Sequence, residues 1–306
     1  MGFFFYDLLY NIGAMKDTTH NNFPIDLVVA YVNNQDPIWR NNYINYCKTH
    51  NLNNLIVNLA GSRYGGIEFL YDQLKLANKN MPWLNKIYLL LSNKEQVIPS
   101  LLPPNVKIIY HHNFIYNQYL PTFNSCTIEM FLWNIPNLSE HFIYANDDML
   151  PTGKLKPSDF FSDGKIKIKW KNSEFSFNCS MFAYQCRNNI MYMNSKFGNK
   201  ENPDDLLRPV HSFTPMIKSH CKEIFNLLEY DIKKHIRVFR TTYQVNQYIY
   251  PLYEHYKYGT LDSDIDFFYT ELDSDFDLKH QIVCVNGEKK QEYIDKYVKE
   301  IRQLCE

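Results

Sequence analysis

The chain contains 306 residues, of which 45% are hydrophobic and 21% are charged, and its 32 basic and 33 acidic side chains nearly cancel. This length and apolar content provide for a large buried core, whereas a net charge of −1 excludes the basic surface of a general nucleic-acid binder. The 24 tyrosines and 21 phenylalanines exclude a disordered chain, because so much aromatic surface is unfavourable in water.

The cysteines and the N-terminus indicate a compartment. The seven cysteines form no CxxC pair, which is typical of reduced thiols in a cytoplasmic protein. The apolar stretch at residues 1–10 includes Asp7 and is shorter than the roughly 20 residues of a membrane span. We therefore expect a soluble cytoplasmic protein with no transmembrane span, associated at most peripherally with the inner face of the membrane. Residues 1–22 are predicted to form an apolar lead-in, and residues 23–306 a single domain.

The apolar pattern of residues 25–150 alternates between strands and helices. The strands are predicted from continuous, partly β-branched runs, and they are Ile25–Val32, Lys86–Leu91, Val106–Tyr110 and His141–Ala145. One helical pattern begins at Ile67 and ends at Met81–Trp83, where Pro82 interrupts it, and another covers Cys126–Trp133. The alternation predicts an α/β fold with a mainly parallel sheet and flanking helices.

After residue 150 the pattern predicts a β-rich flap and then a helical C-terminal portion. Ile166–Trp170 and Phe175–Phe177 alternate like half-exposed strands. The apolar positions of residues 244–256 suggest a helix bent at Pro251. Gln291–Leu304 carries its apolar residues on one helical face.

Three polar residues, Asn146, Asp147 and Asp148, follow the predicted strand His141–Ala145. In open α/β sheets the carboxyl edge is where ligands bind. Adjacent carboxylates repel each other unless a cation or donors hold them, so this group suits a divalent metal that bridges a diphosphate. The alternative is a turn in which the aspartates cap the next element.

Other candidate residues are ambiguous when each is taken alone. Asn124 and Glu129 lie at the start of the preceding helix, where a carboxylate can simply complement the helix dipole. His211 lies in a loop bracketed by prolines and could act as a general base or as a ligand. Arg237 and Arg240 could bind phosphate bidentately or could be ordinary surface residues.

Taken in order, these segments resemble the Stealth family of sugar-phosphate transferases, which includes bacterial capsular polysaccharide phosphotransferases. The matching residues are Ile25–Trp39, then Arg63-Tyr64, Glu68, Pro82-Trp83, Leu120–Glu129, Ile135–Glu140 and Phe142–Met149, then the loop around His211, and last Phe239-Arg240 with Ile282–Asn286. Where the family has acids, the chain has Asn33 in the first block and Gly287 after the last.

The resemblance implies a nucleotide-sugar transferase-like fold and a divalent cation, Mg²⁺ or Mn²⁺. The implied catalytic residues are Glu129, Asp148, His211 and Arg240. The implied substrate-binding residues are Asp26, Asp36, Arg63, Asn124, Asn146, Asp147 and Asn286, with Asp26 and Asp36 near the nucleotide. Asp147 and Asp148 are the implied metal ligands.

The function implied by the resemblance is transfer of a hexose-1-phosphate or N-acetylhexosamine-1-phosphate from a UDP-sugar to a hydroxyl of an oligo- or polysaccharide acceptor. Such a reaction forms a phosphodiester and releases UMP, in capsular or other cell-surface polysaccharide synthesis. Two alternatives remain open. One is a metal-dependent glycosyltransferase that releases UDP, and the other is a non-catalytic carbohydrate-binding member, for which Asn33 and Gly287 are the motivation.

Overall fold

The computed structural model describes residues 23–60, 69–174, 180–198, 202, 205–286 and 290–306. Within these ranges the strands are β1 (Ile25–Ala30), β2 (Ile87–Leu91), β3 (Val106–Tyr110), β4 (His141–Asn146), β5 (Met149–Leu150), β6 (Phe161–Ser162), β7 (Lys165–Ile168), β8 (Trp170–Glu174), β9 (Asp205–Pro209), β10 (Thr214–Ile217), β11 (Leu261–Asp262), β12 (Phe267–Thr270) and β13 (Ile282–Val285). The helices are α1 (Pro37–Thr49), α2 (Leu70–Asn80), α3 (Ser125–Glu129), α4 (Met181–Phe197), α5 (Lys218–His235), α6 (Ile249–Lys257) and α7 (Gln291–Cys305).

A five-stranded sheet with the order β10-β4-β1-β2-β3 forms the centre of the molecule. The four strands β4, β1, β2 and β3 run parallel, and β10 pairs antiparallel with β4 at the edge. The β-branched and aliphatic residues of β1 explain its central place, because a strand covered on both faces needs apolar side chains on both. The predicted α/β fold with a mainly parallel sheet is confirmed.

The two faces of the sheet are covered by different helices. Leu27 and Val29 point to one face and pack with α2, whereas Val28 points to the other face and packs with α4, α5 and α6. All three side chains are fully buried, and each such burial stabilises the fold by about 1.5–3 kcal/mol. This two-sided packing fixes the sheet and leaves its carboxyl edge to the connecting loops.

The order of the strands changes direction at β1. The chain proceeds from β1 to β2 and β3 on one side, and β4 is then added on the other side of β1. The loops that leave neighbouring strands on opposite sides cannot cover the edge between them, so a crevice forms there. The crevice lies outside the carboxyl ends of β1 and β4.

Smaller sheets surround this edge. β8 and β9 form an antiparallel pair, and β13 pairs with both β12 and β5. The register of β13 with β5 sets Cys284 opposite Met149, so the segment that ends in Asn286 lies beside the turn after β4. At the C-terminus α7 packs on α2, where Nζ of Lys79 donates to the carbonyl of Leu304 at 2.8 Å.

Several predicted elements differ in their bounds. The second predicted helix is shortened to α3, which ends at Glu129, and a 3₁₀ turn follows at Leu132–Asn134. The helix expected from residue 244 begins only at Ile249, so Pro251 lies in its first turn, where a missing N–H costs nothing. The last helix matches its prediction closely. Residues 1–22 and Phe175–Phe177 lie outside the described residues.

None of the helices in the described part of the chain combines the length and the hydropathy that a bilayer crossing requires.

Candidate active site at the carboxyl edge of the sheet

A cavity of about 680 Å³ opens at the crevice, within the usual range of roughly 300–1,000 Å³ for small-molecule sites. Each of the four parallel strands contributes to its wall at the carboxyl end. The contributing residues are Tyr31 after β1, Ser92 after β2, His111 after β3 and Asn146 at the end of β4. The cavity is therefore where the sheet topology predicts a ligand site.

The turn after β4 is held from two sides. The side-chain amide of Gln73, on α2, donates to the carbonyls of Asn146 and Met149, both at 2.7 Å. From the other side, the backbone N–H of Val285 donates to the carbonyl of Asp148 at 2.7 Å. These contacts fix the backbone so that Asn146, Asp147 and Asp148 line the cavity.

His211 is held between Asp148 and Tyr248. Its Nε2 lies 3.2 Å from Oδ2 of Asp148, and its Nδ1 lies 3.3 Å from the hydroxyl of Tyr248. Burial raises the pKa of Tyr248 above its usual range, so the hydroxyl keeps its proton and can either donate to or accept from the imidazole. The ring orientation is thereby fixed without fixing which nitrogen carries the proton.

Glu129 and Arg240 face the same cavity from α3 and from the loop before α6. Oε2 of Glu129 accepts from the backbone N–H of Gln247 at 2.9 Å, and its side chain is only 3% exposed. Burial raises the pKa of Glu129, although the Arg240 guanidinium acts in the opposite direction. The guanidinium itself is exposed and donates to the hydroxyl of Ser125.

The remaining predicted residues differ in their relation to the cavity. Asn124, Asp147 and Asn286 line the cavity, and Asn124 also caps α3, where its Oδ1 accepts from the N–H of Cys126 at 3.1 Å. Arg63 lies outside the described residues.

Asp26 and Asp36 are not among the residues that line the cavity. Asp26 lies near the amino end of β1, where its carboxylate accepts from the N–H of Ser139 at 2.7 Å. Asp36 caps α1 and accepts from the side-chain amide of Gln96 at 2.6 Å. Burial alone would raise the pKa of Asp36, but hydrogen bonds from Asn93 and Gln96 lower it. Both aspartates hold neighbouring loops together.

Within the described residues, ligand atoms of Asp148, His211 and Cys284 lie within 4.8 Å of one another. Asp147, the second implied metal ligand, is not part of this group. A thiolate and an imidazole suit softer ions, whereas Mg²⁺ prefers oxygen. Oδ1 of Asp148 and Oδ1 of Asn146 are buried and have no hydrogen-bond partner, and such oxygens fit a hard divalent cation. The residues present therefore fit a divalent cation.

Sequence reasoning missed Tyr248 and Cys284. Tyr248 belonged to an apolar helical pattern, which gives no sign that its hydroxyl faces a histidine. Cys284 lies inside the last matching block, Ile282–Asn286, but the pairing of β13 with β5 is what brings it to the turn after β4.

The comparisons with known proteins cover the second of the matching blocks. The family model described as Stealth protein CR2, conserved region 2, matches residues 63–169. The capsular polysaccharide phosphotransferase LcbA of Aeromonas hydrophila is 32% identical over 250 residues, which cover 79% of this chain and 68% of that protein. The chain belongs to the Stealth family.

A second relative of this Stealth family member is LcbA of Neisseria meningitidis, which is 33% identical over 248 residues, covering 77% of this chain and 66% of that protein. The chain thus spans about two thirds of the length of both LcbA proteins, and 39% of that of the Actinobacillus suis capsular polysaccharide phosphotransferase. The solved structure of the galactosyltransferase LgtC with donor and acceptor sugar analogs covers 92% of this chain and 95% of its own, at 12% identity and a TM-score of 0.45.

Proposed function

We propose that this chain transfers a hexose-1-phosphate or an N-acetylhexosamine-1-phosphate from a UDP-sugar to a saccharide hydroxyl in capsular or cell-surface polysaccharide synthesis. The acceptor oxygen attacks the phosphorus that bears the sugar, the bond from that phosphorus to the bridging oxygen of UMP breaks, and a sugar phosphodiester forms. The printed names of the relatives, capsular polysaccharide phosphotransferases, support this reaction class.

The observation that carries the proposal is the convergence of four separate segments on one cavity. Glu129, Asp148, His211 and Arg240 come from α3, the turn after β4, the loop before β10 and the loop before α6, and all four line it. Phosphoryl transfer needs a positioned nucleophile and stabilisation of charge on the phosphoryl oxygens. The His211–Asp148 pair can act as the base that positions and activates the nucleophile, and the Arg240 guanidinium can stabilise the phosphoryl charge.

We assign a role to each of these side chains. The His211–Asp148 pair takes the proton of the acceptor hydroxyl. The two side chains lie 3.2 Å apart, so they can act together as one general base. Arg240 pairs with the oxygens of the transferred phosphoryl group. Glu129, buried beside Arg240, orients the guanidinium and, with Asn124 on the same helix, shapes the wall against which the sugar phosphate binds.

We further propose that Asp148 and Asn146 hold a divalent cation, Mg²⁺ or Mn²⁺, through the oxygens that have no other partner. When bound, such an ion neutralises charge on the diphosphate of the donor. Asp147 and Asn286, which line the same wall, lie where they can hold water or substrate hydroxyls around it.

The test is product analysis with the purified protein, Mg²⁺, a panel of UDP-sugars and oligosaccharide acceptors. We expect UMP to form only when an acceptor is present. Formation of UDP would instead establish a glycosyltransferase, and donor binding without either nucleotide product would establish a non-catalytic member.

A further inference from the structure

A pair of cations faces the cavity from the antiparallel strands β8 and β9. Lys171 and Arg208 are directly opposite each other in the register of these two strands, and both line the cavity. Directly opposed residues of an antiparallel pair have Cβ atoms about 4.5–5.5 Å apart, and like charges at such positions destabilise the pairing. An anion in the cavity can contact both side chains at once, so the arrangement favours a negatively charged ligand.

An aromatic ring adjoins the pair. The guanidinium carbon of Arg208 lies 5.5 Å from the ring centre of Phe182, a cation–π contact that restrains the guanidinium. Phe182, at the start of α4, is 40% exposed and lines the cavity, so one of its faces can pack on the apolar C–H face of a pyranose. The same ring meets Tyr248 edge-on at 6.0 Å.

The position of β9 relative to His211 indicates which substrate meets the pair. β9 ends at Pro209, two residues before His211, and the N–H of Val210 donates to the carbonyl of Lys169 at 3.0 Å. The cation pair and the proposed proton acceptor therefore belong to one structural unit. In an in-line displacement the attacking and leaving oxygens lie on opposite sides of the phosphorus, so a group bound beside the base belongs to the acceptor.

We propose that Lys171, Arg208 and Phe182 form an acceptor subsite that binds a negatively charged group on the saccharide, a phosphodiester or a carboxylate. The inference rests on the proposed function for the identity of the acceptor side. It makes the pair of strands β8 and β9 a determinant of acceptor choice, and it leaves donor binding to the other walls of the cavity.

The first experiment compares three oligosaccharide acceptors of equal length, one uncharged, one with uronate carboxylates and one with phosphodiester linkages. We expect the wild-type protein to show a KM about tenfold lower for a charged acceptor than for the uncharged one, and the better of the two charged acceptors identifies the source of the charge. Lys171→Gln and Arg208→Gln should each raise that KM about tenfold, with the KM for the UDP-sugar unchanged. Lys165→Gln, on the exposed face of β7 and outside the cavity, is the matched control and should change neither value.

Equilibrium binding separates failure of this inference from failure of the proposed function. Calorimetric titration of the phosphodiester-linked oligosaccharide, without donor, should give a dissociation constant about tenfold weaker for Arg208→Gln and weaker binding at high salt. If the protein binds the oligosaccharide in a charge-dependent way but transfers no sugar phosphate, the acceptor subsite is supported and the proposed function is contradicted. Equal KM values for charged and uncharged acceptors, or variants that raise only the donor KM, would overturn the subsite.

Discussion

Nε2 of His211 lies 3.2 Å from Oδ2 of Asp148, although 63 positions separate the two residues in the chain. The strand pairing explains this contact. β10 runs antiparallel to β4 with Thr214 opposite Tyr144, so the residues just before Thr214 lie beyond the end of β4, where Asp148 follows. One edge strand, added in the opposite direction to its neighbour, thus completes the proposed catalytic pair.

Removal of the charge on Asp148 tests this pair directly. Asp148→Asn keeps the size of the side chain, and we expect kcat to fall at least about 100-fold because the pair no longer accepts the acceptor proton. Steady-state kinetics should be compared with Asp264→Asn, an exposed position outside the cavity. Turnover within a few-fold of wild type would remove Asp148 from the mechanism.

The cation site predicts a specific dependence on metal. Mg²⁺ added to chelator-treated protein should raise the melting temperature of the wild type, because a ligand that binds only the folded state stabilises it. The same titration should leave Asp148→Asn unchanged. Cys284→Ser discriminates between ligand sets, since a site built from oxygens keeps its Mg²⁺ response without the thiol. Loss of the response in Cys284→Ser would instead make Cys284 a ligand.

The buried carboxyl group of Glu129 should lower the stability of the fold at neutral pH while it supports turnover. Burial raises the pKa of Glu129 above its ordinary value of 4.5, so the folded protein holds this proton more tightly than the unfolded chain. The associated stability is complete below pH 4.5 and is lost as the pH rises from there through the folded pKa. Glu129→Gln should therefore be more stable than wild type in urea unfolding at pH 7 to 8, with kcat strongly reduced.

The control for that measurement is Glu292→Gln at an exposed position of α7, which should follow the wild-type pH profile. A lower stability of Glu129→Gln at pH 8 would mean that the carboxylate is ionised and stabilised by Arg240.

Arg240 and Arg237 provide a matched pair. Both are exposed, but only Arg240 lines the cavity and donates to Ser125. Arg240→Lys removes the bidentate geometry for a phosphoryl group, and we expect kcat/KM for the donor to fall about 10²–10³-fold. Arg237→Lys should behave as wild type, since its backbone carbonyl is what Asn124 and Thr127 use. If kcat/KM for the donor fell in Arg237→Lys and not in Arg240→Lys, Arg237 would be the phosphate-binding residue instead.

A contact remote from the cavity should govern stability in acid. Oε2 of Glu223 accepts from Nζ of Lys257 at 2.7 Å and from the hydroxyls of Tyr253 and Tyr258. Burial alone would raise the pKa of Glu223, but these donors lower it to about 2. The resulting stability is present above pH 4.5 and is lost as the pH falls towards 2. The side chains of Glu223 and Lys257 are 42% and 38% exposed, so screening limits the contribution to about 1 kcal/mol or less.

The free energy of unfolding of Glu223→Gln should therefore approach that of the wild type as the pH is lowered from 6 to 3. The difference between the two proteins at pH 6 should shrink in high salt. A difference that persists unchanged at pH 3 would assign the contact to packing.

The four parallel strands of the central sheet were predictable because each is a local apolar run, and β3 has the predicted bounds of Val106–Tyr110. The edge strand β10 was not among the predicted strands. The early end of α3 was not predictable from the sequence, because the packing of Leu132 in the following 3₁₀ turn depends on distant contacts. The direction of β1 does explain the place of Asp26. Four residues from the end of a strand correspond to about 13 Å, so Asp26 lies far from the edge at which ligands bind.

The candidate site was predictable in its residues more than in its contacts. Asp148 follows a buried strand, which local sequence reveals, whereas its proximity to His211 depends on β10 and its proximity to Cys284 depends on β13. Pairing between strands so distant in sequence leaves no periodic signal in either segment. For the same reason, only the folded chain shows that the hydroxyl of Tyr248 meets His211 and that Lys171 lies opposite Arg208.

The most direct measurement uses a UDP-sugar that carries ³²P in the phosphate attached to the sugar. After incubation with Mg²⁺ and an oligosaccharide acceptor, sugar-phosphate transfer predicts that the label appears in the acceptor product and that the released nucleotide is unlabelled UMP. Label that remains in released UDP, with an unlabelled glycosylated acceptor, would contradict the proposed reaction.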